Sequence, residues 1–541
     1  MSEFDYIIVG SGSGGGAVAA RLTENPQNTV LVLEAGATDW NFIFHMGIGF
    51  YRNKPAGLNW GFVSEPEAHL DNRSIDLPQG HLLGGSSSIN GKVYSRGHPI
   101  DYDEWRQMGC EGWSFAEVLP YFKRAEGSWR GNSTYHSADG PIKTTSVNAK
   151  GLLQEPLIEA ARKLGHTIVD DLDSEPFGGI SRSSDITVDK RGRRSSTART
   201  YFRAARGRPN LRLELKARAT KILIEDGRAV GIEYVQGGQT KIARVRKEIV
   251  LSAGVYNTAR LLMLSGIGCA DELRDVGIEP VCDLPGVGKN IADHLTYMVS
   301  NKTRERVTPV KELRFDRAAF HFTRWLLTGT GLFATQPLMA QGLLRTLPDL
   351  DRPDIQIFFN PVRRDARIWF PAIRPEQEHR IEAGVILLHP HSRGTLTLRS
   401  ADPALPPKVN LNLLSDPRDA ETMIRAIRQT RELYRTQPLS DLVDHEVAPG
   451  PNVETDAQIL AVLRQGSYTV RHPVGSCRMG TDDMAVVDPQ LRVRGIAGLR
   501  IADASIMPAI PGGNTNAPSI MIGEKAADML QGKAPLPPAQ L

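Results

Sequence analysis

The sequence predicts an α/β protein, α+β overall, that folds as more than one domain. Its 541 residues exceed what one hydrophobic core usually serves. Apolar runs at 4–10 and 28–36 flank a helical pattern at 14–23, which is the order of a parallel β-α-β unit. Later short apolar runs favour an antiparallel sheet instead. These runs occupy 354–359, 382–390 and 394–400.

The remaining elements follow from the same patterns. Apolar spacing predicts helices at 115–127 and 152–165. A strand and a hairpin turning at Asp226-Gly227 are expected over 211–235. A buried strand at 247–254 should lead into a helix. The chain closes with a strand pattern at 498–505, a helical pattern at 519–532 and a proline-rich tail at 534–539 that we expect to be loose.

Composition indicates a soluble globular protein with no nucleic-acid partner. Hydrophobic residues make up 40% and charged residues 23%, and the net charge is only +4. No dense Lys/Arg run interleaves with aromatic residues. The basic cluster at 191–199 is interpreted as a solvated loop.

Cysteine spacing and the N-terminal segment bear on redox chemistry and location. Four cysteines lie far apart, so neither a disulfide framework nor a zinc site is indicated, and no metal is expected. The first residues carry acids where a signal peptide would carry positive charge. No run of 18 apolar residues occurs. We therefore expect a cytoplasmic protein with no stable membrane insertion.

A glycine-rich turn between the first strand and the first helix predicts dinucleotide binding. Gly10, Gly12 and Gly15 fit G-x-G-x-x-G. These glycines permit the tight turn, the approach of backbone to a pyrophosphate and close helix packing, as in a Rossmann-like fold. The helix N-terminus offers unpaired N–H groups to phosphate. Glu34 ends the second strand, where it can accept hydrogen bonds from a ribose.

Two more glycine-rich stretches indicate which dinucleotide binds. GHLLGGSSSINGKVYSRG, at 80–97, is too rich in Gly and Ser for a packed core element. A third such segment follows near the C-terminus. A cofactor held along its whole length needs such backbone, which favours FAD over a nicotinamide that is bound and released.

Several blocks resemble the glucose–methanol–choline (GMC) oxidoreductases, FAD enzymes that oxidise alcohols. The stretch 80–97 resembles the first signature of that family, and 254–268 resembles the second, although Val255 and Ala259 depart from it. Further blocks follow in the family's order. They lie at 284–294, 472–480, 499–508 and 512–530.

The resemblance implies a set of FAD-binding residues. Besides Gly10, Gly12, Gly15 and Glu34, it comprises Ser11, Ala35, Leu83, Gly84, Ser88, Asn90, Gly91, Val93, Ala219, Asp503, Ala504, Asn514 and Asn516. Some relatives carry a flavin-bonding His where this chain has Ile89. Isoleucine cannot form that bond, so the FAD is expected to be noncovalent.

The resemblance also implies a catalytic pair, and chemistry divides its roles. His472 matches the family's catalytic histidine, and neutral imidazole is a suitable base near neutral pH. Asn514 matches the second position, where an amide can donate a hydrogen bond but cannot take a proton. We therefore expect His472 to act as base and Asn514 to orient the substrate oxygen during hydride transfer to flavin N5.

The family pattern divides the chain between two domains. The FAD-binding domain is expected to comprise 1–155, 201–298 and 476–541, the last of these carrying active-site residues. The substrate domain, built on an antiparallel sheet with helices, would comprise the insertion 156–200 and the main segment 299–475.

The substrate and the electron acceptor stay open at this level. The layout is similar to the bacterial branch with choline dehydrogenase-like and sorbose dehydrogenase-like enzymes, and we expect a primary alcohol to become an aldehyde. Electrons would pass to a quinone-like, non-NAD acceptor. The alternatives are an oxidase that reduces O2 to H2O2 and, more remotely, a hydroxynitrile lyase. A monomer or small homo-oligomer is expected.

Other histidines and several aromatic residues are candidates without a fixed role. His81, His389 and His391 are interpreted as structural rather than catalytic or metal-binding. Some aromatic residues could form the pocket wall or pack between domains. They are Phe44, Phe50, Tyr51, Trp369 and Phe370.

Overall fold

The computed structural model describes residues 3–49, 57–147, 149 and 151–541. Phe50 and Tyr51 therefore lie outside the described residues. Two large sheets organise the described chain, one of seven strands and one of eight.

The first sheet joins a parallel part to an antiparallel meander. Its parallel strands are, in spatial order, Leu211–Leu215, Val30–Glu34, Glu3–Val9, Gln239–Leu251 and Leu499–Ile501. The long strand Gln239–Leu251 also pairs with Arg228–Gln236, which in turn pairs with Ala217–Glu225, both in antiparallel orientation. The expected strands at 4–10 and 28–36 are thus the centre of this sheet.

Two helices cover the centre of the first sheet and pack on each other through glycines. The helix Ser13–Leu22 follows the first strand, and the helix Asn516–Leu530 lies against it. A Cβ at Gly523 would overlap the backbone of Gly14. The contact therefore brings the end of the chain against its beginning.

The second sheet is antiparallel apart from one edge. Its order is Val443–Ala448, Leu295–Thr303, Arg380–Leu387, Ile355–Asn360, Ala340–Leu344, Gly179–Ser181 and Ile168–Val169, with Tyr468–Thr469 pairing beside the start of the second of these. The last pair is parallel. This sheet confirms the antiparallel pattern expected from 354–359 and 382–390.

The remaining α-helices surround the two sheets. They are Phe42–His45, Pro99–Gln107, Phe115–Ala125, Gln154–Lys163, Arg203–Ala205, Val255–Leu264, Ala270–Asp275, Phe315–Thr328, Pro417–Arg435 and Asp456–Gly466. Small two-stranded sheets complete the fold. They pair Phe62–Val63 with Asp76–Leu77, Glu126–Gly127 with Ile142–Lys143, Thr145–Ser146 with Asp185–Ile186, Ile267–Gly268 with Cys282–Asp283, and Thr395–Thr397 with Lys408–Asn410.

The structure confirms the strand and the hairpin expected over 211–235, which are separated at Lys216 by a left-handed φ of 54°. It corrects three other expectations. The run at 394–400 contributes only the short strand Thr395–Thr397, which lies outside the large sheet. Arg194, in the cluster expected to be solvated, is buried. The tail is also docked, since the backbone N–H of Leu536 donates to the Tyr121 hydroxyl.

Within the described part of the chain, every helix is too short or too polar to cross a membrane.

Candidate functional site

A cavity of about 1220 Å³ is lined by residues of both sheets. From the first sheet it meets the strand ends at Val9, Leu33 and Ser252. From the second it meets the strands that carry Met298 and Phe358. His472 and Asn514 also line it, so one continuous space joins the glycine turn to the expected catalytic pair.

The glycine turn is shaped as the sequence motif predicts. Gly10 has a φ of 101°, and a Cβ there would overlap the carbonyl oxygen of Ser252. A Cβ on Gly15 would overlap the carbonyl oxygen of Gly10, so this glycine lets the helix approach the turn. A Cβ on Gly12 would meet no atom within 4 Å. Gly12 is bare on the side that faces open space, as close approach of a ligand requires.

Glu34 is held in place by the same turn. Its carboxylate accepts hydrogen bonds from the Ser11 backbone N–H at 3.1 Å and from the Gly36 N–H at 2.8 Å. The Ser11 hydroxyl also donates to it, and burial raises the pKa of Glu34. Glu34, Ser11 and the neighbouring Ala35 line the cavity at this end.

The glycine- and serine-rich loop divides its residues between the cavity and its own support. Asn90, Gly91 and Val93 line the cavity. Leu83, Gly84 and Ser88 stand behind it, where the Ser88 hydroxyl donates to the Leu83 carbonyl at 2.8 Å. The Gly84 N–H donates to the Ser11 hydroxyl at 3.0 Å, which ties this loop to the first turn.

Asn90 is oriented by a buried cation. Its side-chain oxygen accepts from Arg194 at 2.6 Å and from the Lys92 backbone N–H at 3.1 Å. Burial lowers the pKa of Arg194 to about 9 and that of Lys92 well below its ordinary value. The loop is therefore held by hydrogen bonds from Arg194 to carbonyl groups, and not by an ion pair.

The C-terminal segment completes the cavity. Asp503 accepts hydrogen bonds from the Gly254 N–H at 2.9 Å and the Thr258 hydroxyl at 2.6 Å, which fixes the start of a helix. Asn516 accepts from Ser13 at 2.8 Å, linking the last helix to the first. Asp503, Asn516, Ala504 and Ala219 all line the cavity.

His472 and Asn514 meet directly at the other end of the cavity. The Asn514 side-chain nitrogen lies 3.1 Å from His472 Nε2. On the opposite side of the ring, His472 Nδ1 lies 3.0 Å from His294 Nδ1. His294 Nε2 lies 2.9 Å from the carbonyl oxygen of Leu388.

This chain of contacts assigns the tautomers. A carbonyl can only accept, so His294 donates from Nε2, and its Nδ1 carries the lone pair when the ring is neutral. His472 must then donate from Nδ1 to His294. Nε2 of His472 is left unprotonated, and it accepts from the Asn514 amide.

Burial keeps both imidazoles neutral. It lowers the pKa of His294 to about 3. It also lowers the pKa of His472 well below its usual 6.5, and His294 and Arg471 add to that effect. Since a neutral imidazole is a base, His472 presents an unprotonated Nε2 to the cavity at neutral pH.

The residues that position this pair are not among the expected site residues. They are His294, Asp293, which accepts the His472 backbone N–H at 2.8 Å, and Gln356, whose amide nitrogen lies 3.5 Å from the Asn514 oxygen. His294 and Asp293 end the block 284–294, whose resemblance to the family is the sequence signal that could have identified them. Gln356 lies in a strand with no motif of its own.

Several other candidates lie outside this arrangement. His81 packs its ring on Trp60 at 4.4 Å, and Phe44 is buried with Leu82 and Ile89. Trp369 donates to the Val310 carbonyl, whereas Phe370 does line the cavity.

The two remaining histidines do not form a metal site. Nε2 of His389 lies 3.8 Å from Oδ1 of Asp101, and burial lowers the pKa of His389 to about 3. The backbone N–H of His391 donates to Asp419. Among the described residues, no cluster of three or more His, Cys, Asp or Glu side chains is arranged to hold a metal ion.

These features fit FAD. The cavity is long enough to reach from the glycine turn to the histidine, and Gly12 is bare where a pyrophosphate would approach. GMC oxidoreductase family models match residues 4–296 and 390–523. The chain belongs to the GMC oxidoreductase family.

Relatives and solved structures agree with this assignment. An oxygen-dependent choline dehydrogenase of Sinorhizobium fredii is 41% identical, covering 99% of this chain and 96% of that protein. One from Chromohalobacter salexigens is 39% identical, covering 100% and 97%. Formate oxidase from Aspergillus oryzae superposes with a TM-score of 0.90 at 26% identity, over 98% of both chains. Pyridoxine 4-oxidase from Mesorbium loti gives 0.87 at 27%, over 98% and 100%.

The protein is therefore a GMC flavoenzyme that oxidises an alcohol with FAD. The fold class expected from the sequence is confirmed. So are the family, the cofactor and the reaction class.

Proposed function

We propose that His472 and Asn514 are the catalytic pair that converts a primary alcohol to an aldehyde. The proposal rests on one observation, the hydrogen-bonded series from the Leu388 carbonyl through His294 and His472 to Asn514. This series leaves the lone pair of His472 Nε2 beside the Asn514 amide, inside the cavity.

In this mechanism each residue has one task. The alcohol hydroxyl enters between the two side chains, donates its hydrogen to His472 Nε2 and accepts a hydrogen bond from the Asn514 amide. His472 takes the proton as the C–H bond breaks, and Asn514 stabilises the developing alkoxide. FAD, when bound, accepts the hydride. His294 keeps the His472 ring in the tautomer that can receive a proton.

The cofactor would be held by the residues that line the first half of the cavity. Gly12 would offer bare backbone to the pyrophosphate, and Glu34, held by Ser11, is placed for the ribose. Asn90, Gly91 and Val93 would lie along the flavin. Ile89 supports the expectation of a noncovalent cofactor.

We further propose that the substrate carries no positive charge. Among the described residues that line the cavity, the carboxylates are Glu34, which ends one strand of the first sheet, and Asp503, which follows another. The substrate half instead presents arginines. They are Arg363, Arg364, Arg367, Arg374 and Arg471.

Apolar side chains fill the rest of that half. Three of them lie on the second sheet: Phe358 in the strand that carries Gln356, Ile386 in the neighbouring strand, and Met298 in the strand beyond that one. A quaternary ammonium prefers aromatic faces together with a carboxylate. This wall suits an uncharged, largely apolar primary alcohol better.

Choline is the second candidate, because the relatives named above are choline dehydrogenases. An anaerobic titration separates the two. We expect benzyl alcohol or a medium-chain primary alcohol to bleach the flavin of the purified holoenzyme and choline to leave it yellow. Bleaching by choline alone would reject the proposed substrate class.

The same sample tests the acceptor. We propose a quinone-like acceptor, so the bleached flavin should reoxidise slowly in air and rapidly with a soluble quinone. Fast recovery in air would instead establish an oxidase that releases H2O2. A flavin that no alcohol bleaches would favour a lyase.

The two-domain division, with boundaries at 155, 200, 298 and 475, also stays a proposal. The cytoplasmic location and the monomeric or small homo-oligomeric state stay predictions.

A further inference from the structure

Two segments frame the mouth of the cavity. One is the helix Phe315–Thr328, here called the rim helix, and the other is residues 363–374, called the rim loop. They pack together through the stacked rings of Phe315 and Phe370, whose centroids are 5.1 Å apart. The Phe315 backbone N–H also donates to the Trp369 carbonyl at 3.0 Å.

The inner face of the rim helix packs on the protein and lines the cavity. Ala318 and Trp325 are buried, and the Trp325 indole donates to the Gly192 carbonyl at 2.8 Å. Phe315, Ala319 and Phe322 line the cavity. These contacts explain why the helix is apolar on that side.

The outer face also carries large apolar side chains, interspersed with Arg317 and Arg324, and these do not line the cavity. Phe320 is 61% exposed and Leu327, two turns further along the same face, is 77% exposed. Leu326 is exposed beside them, and Ile373 of the rim loop is 86% exposed. Scattered exposed apolar residues are ordinary, but several of them on two segments that frame one cavity mouth indicate an interaction surface.

A third segment beside the rim helix also carries exposed aromatic side chains. Phe42 lies with its ring 5.8 Å from that of Phe322, in an edge-to-face arrangement. Phe42 is more than half exposed, as is Trp40 just before it. Aromatic side chains at the edge of an apolar patch are typical of surfaces that meet a lipid interface.

The charge of the rim points to the nature of the partner. The rim helix contains two Arg against one Asp, and the rim loop contains four Arg against one Asp. Together the two segments have a net charge of +4, which equals the net charge of the whole chain. A cationic apolar surface complements an anionic one.

We propose that the rim helix and the rim loop dock on an anionic lipid bilayer, so that the cavity opens onto the membrane surface. A helix with exposed Phe and Leu and flanking Arg lies in the interface plane without crossing the membrane. A second copy of this chain is a poorer partner, since it would set two arginine-rich rims against each other. Docking would let an apolar alcohol or a quinone-like acceptor dissolved in the bilayer enter the cavity directly.

A vesicle-binding experiment tests the proposal with the purified holoenzyme. Vesicles of phosphatidylcholine alone are compared with vesicles that also contain phosphatidylglycerol, and flotation measures the bound fraction. We expect binding to the anionic vesicles, little binding to the neutral ones, and release as added salt screens the arginines. Failure of the holoenzyme to float with anionic vesicles would overturn the proposal.

Variants locate the surface. The double variant Phe320→Ser/Leu327→Ser should lower the partition coefficient at least about tenfold, because both side chains would leave the lipid. Arg324→Gln should weaken binding less and reduce its salt dependence. The matched control is Ile242→Ser/Val281→Ser, which removes two exposed apolar side chains outside the rim and should bind like wild type.

Two readouts keep these results interpretable. Neither Phe320 nor Leu327 lines the cavity, so FAD content and turnover of a water-soluble alcohol should be unchanged in the double variant. Equal vesicle binding by the double variant and wild type would reject the rim as the docking surface. Light scattering that shows a dimer in wild type and a monomer in the double variant would identify a second copy as the partner and reject the lipid.

Discussion

The tautomer of His472 depends on a histidine 178 positions earlier in the chain. Either imidazole nitrogen of His472 could carry the proton in an isolated ring. The Leu388 carbonyl fixes the proton of His294 on Nε2, and that choice passes through the 3.0 Å contact to His472. The Leu388 carbonyl, which does not touch substrate, thus determines that Nε2 of His472 is the hydrogen-bond acceptor.

Replacing the base tests its role directly. His472→Ala should lower the rate constant of anaerobic flavin reduction by about 10²–10⁴, which is the usual contribution of a general base. Stopped-flow absorbance of the FAD-loaded variant gives this rate. His391→Ala is the control, since its ring lies outside the catalytic arrangement, and it should reduce flavin like wild type. A His472→Ala rate within twofold of wild type would refute the assignment.

We assign His294 as a positioning residue, so the activity of a variant should depend on whether the new side chain can accept a hydrogen bond from His472. His294→Phe removes the acceptor for His472 Nδ1–H, so kcat should fall by roughly tenfold or more. His294→Asn can still offer an oxygen to Nδ1–H and should recover part of the loss. A merely structural role would instead make both variants equally impaired, with reduced FAD content in each.

The pH dependence follows from the lowered pKa of His472. A base with a depressed pKa stays unprotonated as the pH falls, so kcat/KM should remain flat through 6.5, the ordinary pKa of histidine. Steady-state rates over a buffer series measure this profile. Protonation of His472 should reduce kcat/KM only at more acidic pH.

Titration of the neighbouring Asp293 can add an inflection of its own to the pH profile of kcat/KM. Burial raises its pKa to about 7, and it accepts the His472 backbone N–H. An inflection near pH 7 caused by Asp293 should vanish in Asp293→Asn. A fall centred near 6.5 that persists in Asp293→Asn would show that His472 titrates normally.

At the scale of elements, two glycines of the same turn have different roles, one in folding and one in cofactor binding. Gly10 is needed by the protein itself, because of its φ of 101° and its contact with the Ser252 carbonyl. Gly12 has open space where a Cβ would be, so the folded protein itself does not require glycine there, and we attribute this glycine to cofactor binding.

Two alanine variants should therefore behave differently. Gly10→Ala should lower both the thermal midpoint of the apoprotein and its FAD content. Gly12→Ala should leave the apoprotein midpoint close to wild type while weakening FAD affinity by about tenfold or more. Thermal unfolding and fluorescence titration with FAD measure the two quantities. Normal FAD affinity in Gly12→Ala would contradict the placement of the pyrophosphate.

Elements were predictable from sequence where local signals were strong. The strands Glu3–Val9 and Val30–Glu34 are short apolar runs that end at a glycine and an acid, and both were expected. The strand and hairpin over 211–235 were expected too, but the position of the break between them at Lys216 was not, since neither Gly nor Pro marks it. The burial of Arg194 was missed because its carbonyl partners come from distant segments.

The site shows the same limit. His472 and Asn514 lie in blocks that resemble family motifs, so both could be proposed from sequence. Gln356 could not, because its role depends on the register of the second sheet and on a long-range contact with Asn514.

At the scale of the whole molecule, one buried carboxylate joins three parts of the chain to the last helix. Glu524 accepts from Arg21 at 2.9 Å and from Arg124 at 2.6 Å, and the Tyr201 hydroxyl also donates to it. The Glu524 side chain is fully buried, so its partners cannot be replaced by water.

Removing this carboxylate should destabilise the protein strongly. Glu524→Ala removes the buried acceptor that two arginines and a tyrosine share and should cost about 3–5 kcal/mol of unfolding free energy. Glu24→Ala removes an exposed partner of the same Arg21 and should cost about 1 kcal/mol or less. Urea unfolding of both apoproteins compares them. Equal effects of the two changes would show that the buried network contributes no more than a surface pair.

The strand Leu499–Ile501 and the helix Asn516–Leu530 close a cavity whose other walls begin at Val9. During synthesis the N-terminal turn leaves the ribosome first, while Asp503, Asn514 and Asn516 are still untranslated. The nascent chain therefore cannot complete its cofactor site until nearly every residue has emerged. Flavin capture is expected to be one of the last steps of maturation, and a chain truncated before Leu499 should emerge without it.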